Sequence, residues 1–142
     1  MAHGIKLNTE DIRHIAIFES LTGAITKDCI VEPDSVTFVV KEGGMGLAIG
    51  KSGANIEKVR EVFGKRVELI EYSDNLEKFL KNIFYPARIK SVQVIERGGK
   101  KIASVKVEPR DRSKAIGKGG ANIRRAKILV QRHYGIEDIV LT

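Results

Sequence analysis

One string of residues occurs twice, and it constrains this chain more than any other feature. Ala48-Ile49-Gly50-Lys51-Ser52-Gly53-Ala54-Asn55-Ile56 returns as Ala115-Ile116-Gly117-Lys118-Gly119-Gly120-Ala121-Asn122-Ile123, and the copies differ only at Ser52 against Gly119. The offset, 67 residues (117 − 50), is nearly half of the 142-residue chain. Two small units are therefore expected, 1–73 and 74–142, each built round one copy. Two glycines bracketing a lysine, between apolar helical pieces, let backbone N–H groups and a cation come close to a phosphate.

The elements around each copy follow the same order. Asn8-Thr9-Glu10-Asp11 reads as a helix start, with a capping residue and then acids. Ile12, Ile15, Phe18 or Ala16, and Leu21 recur at helical spacing, and Gly23 can close the helix. Lys27 to Val31 and Val36 to Val40 read as a hairpin turning at Glu32-Pro33-Asp34. A short helix at Leu47-Ala48-Ile49 leads into the first loop. Ile56, Val59, Val62 and Phe63 mark the buried stripe of the next helix, which Gly64 ends. Val67, Leu69 and Tyr72 alternate as a strand.

The second unit repeats this α-β-β-α-α-β order. Its first helix runs from a cap at Asp74 or Asn75 to a stop at Pro86. Strands flank the Gly98-Gly99 turn, and a short helix after Pro109 reaches Ile116. A long helix with Ile123, Ala126, Leu129 and Val130 on its apolar side follows the second loop, and Ile136 to Leu141 forms the last strand. Offset 67 pairs Val36–Val40 with Ala103–Val107, but Phe63-Gly64 matches Tyr134-Gly135 at offset 71. The four-residue slip predicts that the second unit's long helix is one turn longer. The fold class expected is α+β.

Charge separates the two halves. The net charge of +7 divides into −2 over residues 1–73 (nine Lys/Arg, eleven Asp/Glu) and +9 over 74–142 (sixteen Lys/Arg, seven Asp/Glu). A basic half beside an acidic sister points to a polyanion bound mainly by the second unit. The only cysteine, Cys29, sits in an apolar stretch and reads as a core residue rather than a catalytic thiol. His3, His14 and His133 lack partners at ligand spacing, so neither a metal nor another cofactor is expected. Met1 to Lys6 lacks the apolar segment of a signal peptide, and no apolar run approaches the length of a membrane span. A cytoplasmic protein without a membrane partner is expected.

Three loop types could use these glycines. A phosphate-binding NTPase loop ending at Gly50-Lys51-Ser52 needs a glycine where Met45 stands, and the second copy has Gly119 in place of the required Ser/Thr. A dinucleotide fingerprint fails at Asn122, where its third glycine belongs. No carboxylate pair or nucleophile–base set stands out, so an enzyme is not expected. The third type fits. Ile49-Gly50-Lys51-Ser52-Gly53-Ala54-Asn55-Ile56 and its twin resemble the Ile-Gly-x-x-Gly-x-x-Ile core of KH domains, whose loop clamps about four nucleotides of a single strand. The α-β-β-α-α-β order resembles the type II arrangement, which implies two tandem KH domains, each with a three-stranded sheet packed by helices.

The joining segment Ile83-Phe84-Tyr85-Pro86-Ala87-Arg88-Ile89-Lys90-Ser91-Val92 resembles the link between the KH domains of NusA. The chain is similar over nearly its whole length to the archaeal NusA-like proteins. None of these 142 residues is expected to correspond to the polymerase-binding or S1-type domains of bacterial NusA. This resemblance implies a factor of transcription elongation, termination or antitermination that binds single-stranded RNA as a monomer, with RNA polymerase as a further partner. The loops by themselves leave open a KH protein of ribosome assembly or translation.

Residue roles follow from the chemistry of the loop. Gly50, Gly53, Gly117 and Gly120 permit the turn and the close backbone approach. Lys51 and Lys118 aim a cation at phosphates, beside Ser52 and Gly119. Ile49 and Ile56, and Ile116 and Ile123, are either groove walls for bases or core residues. Lys114, Arg124 and Arg125 add charge round the second loop, where the first has Leu47, Glu57 and Lys58.

Overall fold

The computed structural model describes residues 7–142, which divide into two compact units, 7–73 and 74–142. Met1 to Lys6, including His3, lie outside the described residues.

In the first unit, helix α1 (Thr9–Thr22) opens with a reciprocal cap. Asn8 Oδ1 accepts the Asp11 N–H at 2.7 Å, and Asp11 Oδ2 accepts the Asn8 N–H at 3.2 Å. Gly23, at φ 78°, ends the helix in the left-handed conformation. Strands β1 (Thr26–Val31) and β2 (Ser35–Val40) pair antiparallel. Two helices, α2 (Met45–Ile49) and α3 (Ala54–Phe63), then carry the chain to β3 (Arg66–Glu71), which pairs parallel with β2. The sheet order is β1-β2-β3. A parallel pair cannot be joined by a tight turn and needs a crossover. Here α2, the glycine loop and α3 form that crossover, so the loop is held at a fixed place against the sheet.

The core of this unit gathers Phe18, Cys29, Val36, Phe38, Val40, Ala48, Ile56, Val59 and Val67. Phe18 stacks on Phe38 with ring centroids 4.2 Å apart, and Phe63 tilts against Phe38 at 5.7 Å. Cys29 is a buried free thiol. Two residues of the expected stripes are instead more than half exposed, Ile12 and Val62. The inward face of α1 follows Asp11, Ile15, Phe18 and Thr22, and that of α3 follows Ile56, Val59 and Phe63. At 3.6 residues per turn, Ile12 and Val62 fall beside those rows rather than on them. Tyr72 lies past the end of β3, its ring centroid 4.4 Å from Lys27 Nζ.

The second unit repeats the plan with α4 (Leu76–Phe84), β4 (Ile89–Arg97), β5 (Lys100–Val107), α5 (Arg112–Ile116), α6 (Ala121–Tyr134) and β6 (Asp138–Leu141). Asn75 caps α4 by accepting the Lys78 N–H at 2.9 Å. Gly98 and Gly99 both take positive φ, 56° and 79°, the conformation that suits a two-residue turn to the twist of its strands. The order β4-β5-β6 again has an antiparallel then a parallel pair. Ala103, Val105 and Val107 of β5, Ala126, Leu129 and Val130 of α6, Ile139 of β6 and Phe79 of α4 are buried. Helix α6 has 14 residues against 10 in α3, the one-turn difference expected from the slip in register.

The Phe18–Phe38 stack generates the first prediction. Phe38→Ala should cost about 3–5 kcal/mol. The measure is loss of amide-exchange protection across β1–β3.

Candidate nucleic-acid interface

The two loops share one backbone. Gly50 has φ 77° and ψ 170°, and Gly117 has φ 80° and ψ 167°. That region is essentially reserved for glycine. Gly53 (φ 77°, ψ 14°) and Gly120 (φ 76°, ψ 17°) are left-handed, as are Ser52 (φ 55°, ψ 28°) and Gly119 (φ 62°, ψ 21°) between them. In each loop the second glycine donates its N–H to the carbonyl of the first at 3.1 Å.

The first glycine is required for a second reason. A Cβ on Gly50 would lie 2.8 Å from the Asn55 backbone nitrogen, and one on Gly117 would lie 2.8 Å from that of Asn122. Both asparagines brace the loop. Asn55 Nδ2 donates to the Leu47 carbonyl at 2.8 Å, and Asn122 Nδ2 donates to the Lys114 carbonyl at 3.0 Å. Each bond satisfies a carbonyl that the end of a short helix leaves without an intrahelical partner. The asparagines were not among the expected site residues, although their identity in both copies was the available signal.

Around this frame the expected residues take different places. Lys51, Ser52, Lys118 and Gly119 are exposed at the loop tips. Helices α3 and α6 follow Gly53 and Gly120 with no side-chain cap, the Ala54 and Ala121 N–H groups donate back to the Lys51 and Lys118 carbonyls, and the positive end of each helix dipole lies at the loop. Lys114 is exposed, and Arg124 is exposed with Nη1 donating to the Gly119 carbonyl at 3.4 Å. Arg125 departs from the expectation. It is only 6% exposed and donates from Nη2 to Asn122 Oδ1, because it lies on the inward row of α6 beside Ala126 and Leu129. Its charge therefore braces Asn122 rather than facing a ligand. Ile56 is a core residue at 7% exposure, whereas Ile49 is 41% exposed. Ile116 and Ile123 are half-buried.

Next to the second loop lies a groove of about 280 Å³. Ile123, Arg124, Lys127, Ile128 and Gln131 of α6 line it, with Glu137 opposite. Its lining is apolar at Ile123 and Ile128 and basic at Arg124 and Lys127. Lys127 Nζ also lies 3.2 Å from Asp138 Oδ1. The Ile139 N–H first, and then Lys127, hold the Asp138 carboxyl below its ordinary value against a smaller opposing effect of burial. The first loop is flanked differently. Leu47, at the position of Lys114, is 58% exposed, and Glu57, at the position of Arg124, pairs with Arg60 at 2.6 Å.

Comparison with known proteins adds to this geometry. Residues 12–107 match the family described as KH domain, and residues 76–140 match the NusA-like second KH domain. A protein of Methanococcus vannielii named "Probable transcription termination protein NusA" is 45% identical over 135 residues, covering 95% of this chain and 78% of that one. The chain belongs to the archaeal NusA-like KH family. A NusA of Halococcus morrhuae with the same name is 39% identical over 137 residues, 96% of this chain and 98% of that one. The crystal structure of APE1850 superposes with a TM-score of 0.83 at 40% identity, covering 96% of this chain and all of that one. The two tandem α-β-β-α-α-β units are thus the KH pair of a NusA-like protein, and the glycine loops are their GxxG loops.

The second GxxG loop of this NusA-like chain is also anchored from behind. Asp111, just before α5, is buried, and its Oδ2 accepts from the Arg88 backbone N–H at 3.0 Å and from Arg88 Nε at 3.2 Å. Lys114 Nζ stands 3.9 Å from Asp111 Oδ1. The Arg88 N–H lowers the Asp111 pKa most. Burial opposes it, and the Arg88 guanidinium and Lys114 ammonium add to the lowering.

Two predictions follow from these contacts. Gly117→Ala should cost about 3 kcal/mol or more, since the strained region and the Asn122 contact add. Gly120→Ala, left-handed but with its nearest neighbour 3.9 Å away, should cost about 1–2 kcal/mol; denaturant midpoints give both values. Because Asp111 is depressed below its ordinary 3.8, its stabilisation is present above that pH and is lost as pH falls through the lower folded value. The stability advantage of wild type over Asp111→Asn should therefore shrink progressively below that point in acid titrations.

Proposed function

We propose that this protein binds single-stranded RNA through its two GxxG loops and acts in transcription termination, as the names of its relatives indicate for them. The observation that carries the reading is the duplicated loop itself. Two stretches of sequence adopt the same glycine-only backbone, each exposing a lysine, a left-handed neighbour and an uncapped helix start at one point. That combination is built to accept phosphodiester oxygens while the missing Cβ atoms let the sugar–phosphate chain approach. Residues 1–73 and 74–142 each serve as one KH domain in this reading.

In the second domain, Lys118 and the positive end of the α6 dipole take the phosphates, and Arg124 adds charge. Ile116, Ile123 and Ile128 offer the apolar surface on which bases lie. Gly119 gives the strand room on the loop's outer side. In the first domain, Lys51 and Ser52 do the same beside an exposed Ile49, with Glu57 in place of Arg124. The second domain is therefore the stronger electrostatic binder. RNA polymerase is a further partner, and the role is binding rather than catalysis. The relatives' shared name favours transcription over ribosome assembly or translation.

The test uses the two exposed residues at the tip of the second loop. Gly119 has nothing within 4 Å of an added Cβ, and aspartate tolerates the left-handed region, so Lys118→Asp/Gly119→Asp should leave the fold intact by circular dichroism. Its affinity for a single-stranded RNA should fall by about tenfold or more, and the wild-type affinity should fall with salt by about 0.7 log units per log unit for each phosphate neutralised. Lys51→Asp/Ser52→Asp should lose less. Unchanged binding by the Lys118/Gly119 variant would overturn the clamp, and the reverse ranking of the loops would overturn the dominance of the second domain.

A further inference from the structure

The 74–142 unit holds a second basic pocket, away from its GxxG loop. It measures about 260 Å³ and is lined by Lys90 of β4, Lys106 and Val107 of β5, Pro109, Arg112 of α5 and Thr142. Three cations from three separate elements thus converge on a partly apolar surface. Lys90 is the extra residue at an irregularity in the β4–β5 pairing, between the Ile89–Val107 and Ser91–Lys106 partners. Such a bulge re-aims its side chain, here toward the pocket that Lys106 also lines. Like charges brought together on neighbouring strands destabilise a sheet unless an anion compensates.

Little compensates here. Glu108 lies 3.7 Å from Lys90 Nζ, and Asp111 is engaged by Arg88 and Lys114. Neither Lys106 nor Arg112 has an ion pair among the described residues. The pocket is also private to this unit. At offset 67, Lys106 corresponds to Val39 and Arg112 to Met45, so the repeat that duplicates the loop does not duplicate these charges. Its position relates it to the loop, because Arg112 opens α5 and Gly117 follows its last residue. A five-residue helix rises about 7.5 Å, so the pocket lies at the far end of one short helix from the clamp.

We propose that the Lys90–Lys106–Arg112 pocket binds a phosphodiester of the same RNA strand, with the adjoining ribose or base against Val107 and Pro109. This rests on the RNA-binding reading above. The volume, just under the roughly 300 Å³ at which small-molecule sites begin, suits one nucleotide of a passing strand better than a free cofactor. The clamp holds about four nucleotides, so the pocket engages only longer strands.

The experiment compares RNAs of about four and about twelve nucleotides on wild type and on Lys106→Glu/Arg112→Glu, with fold checked by circular dichroism. Arg97→Glu/Lys101→Glu, at the other end of the β4–β5 hairpin, makes the same change in net charge and serves as control. The pocket variant should lose about tenfold on the longer RNA and flatten its salt slope by about 0.7, one phosphate's worth, while binding the shorter RNA within about twofold of wild type. The control should keep the wild-type length dependence. If the pocket variant keeps both affinity and slope on an RNA that wild type binds, the proposal fails while the clamp stands. Equal losses in pocket variant and control would reduce the effect to net charge and would also overturn it. A wild type that binds neither RNA overturns the clamp and the pocket together. Amide shifts at Lys106 and Arg112 on adding inorganic phosphate, without any dependence on RNA length, would assign the pocket to a free anion and overturn the strand assignment.

Discussion

The hydrogen bond from Asn122 Nδ2 to the Lys114 carbonyl, repeated from Asn55 to Leu47, is the interaction on which both candidate interfaces depend. Each bond ties the end of a short helix to the first turn of the next and thereby closes the loop between them. It also brings the asparagine against the α-carbon of the first loop glycine, so that no other residue fits there. The conformation of that glycine and the presence of the asparagine are therefore one constraint. The second copy carries an extra link, since Arg125 donates to Asn122 Oδ1. A buried cation thus orients the amide that orients the loop. The first copy has Lys58, which is exposed, at this position.

The sheet supplies the larger frame. Because the central strand pairs parallel with the last, the chain must cross over, and the crossover is where the loop sits. The second loop has an additional anchor in Asp111, held by both the backbone and the side chain of Arg88, just before β4. That carboxylate fixes where α5 begins, five residues before the loop, at the cost of placing a negative charge near Lys114. The exposed lysine can still meet solvent, whereas Asp111 is buried.

Much of this was legible in the sequence, wherever the cause is local. The Asn8 cap, the Gly23 and Gly64 stops and the Gly98-Gly99 turn all rest on residues within a few positions of each other, and the extra turn of α6 shows as a slip in register between the two copies. The loops were legible because they occur twice. What escaped involves partners far along the chain or a choice of helix face. Asp111 and Arg88 are 23 residues apart, and nothing in the spacing pairs them. Ile12 and Val62 fit an apolar period but sit beside the row that the core uses. Arg125 reads as one more surface charge until the helix face shared with Ala126 and Leu129 turns it inward. For the asparagines the residue type was visible, but its partner is a backbone carbonyl, which leaves no mark in the sequence.

The two loops separate shape from charge. Shape needs only the two glycines, the asparagine and an apolar residue on either side, and these are identical in both copies. Charge sits at positions that the fold leaves free. Lys114 and Arg124 in one copy are Leu47 and Glu57 in the other, with no change in the backbone between them. The same clamp can therefore be given an electrostatic or an apolar flank without disturbing its geometry. In the second domain the basic flank, the braced asparagine and the surrounding positive charge point the same way. In the first, Leu47 and Ile49 are exposed beside Glu57, so the flank of that loop is apolar and acidic rather than basic.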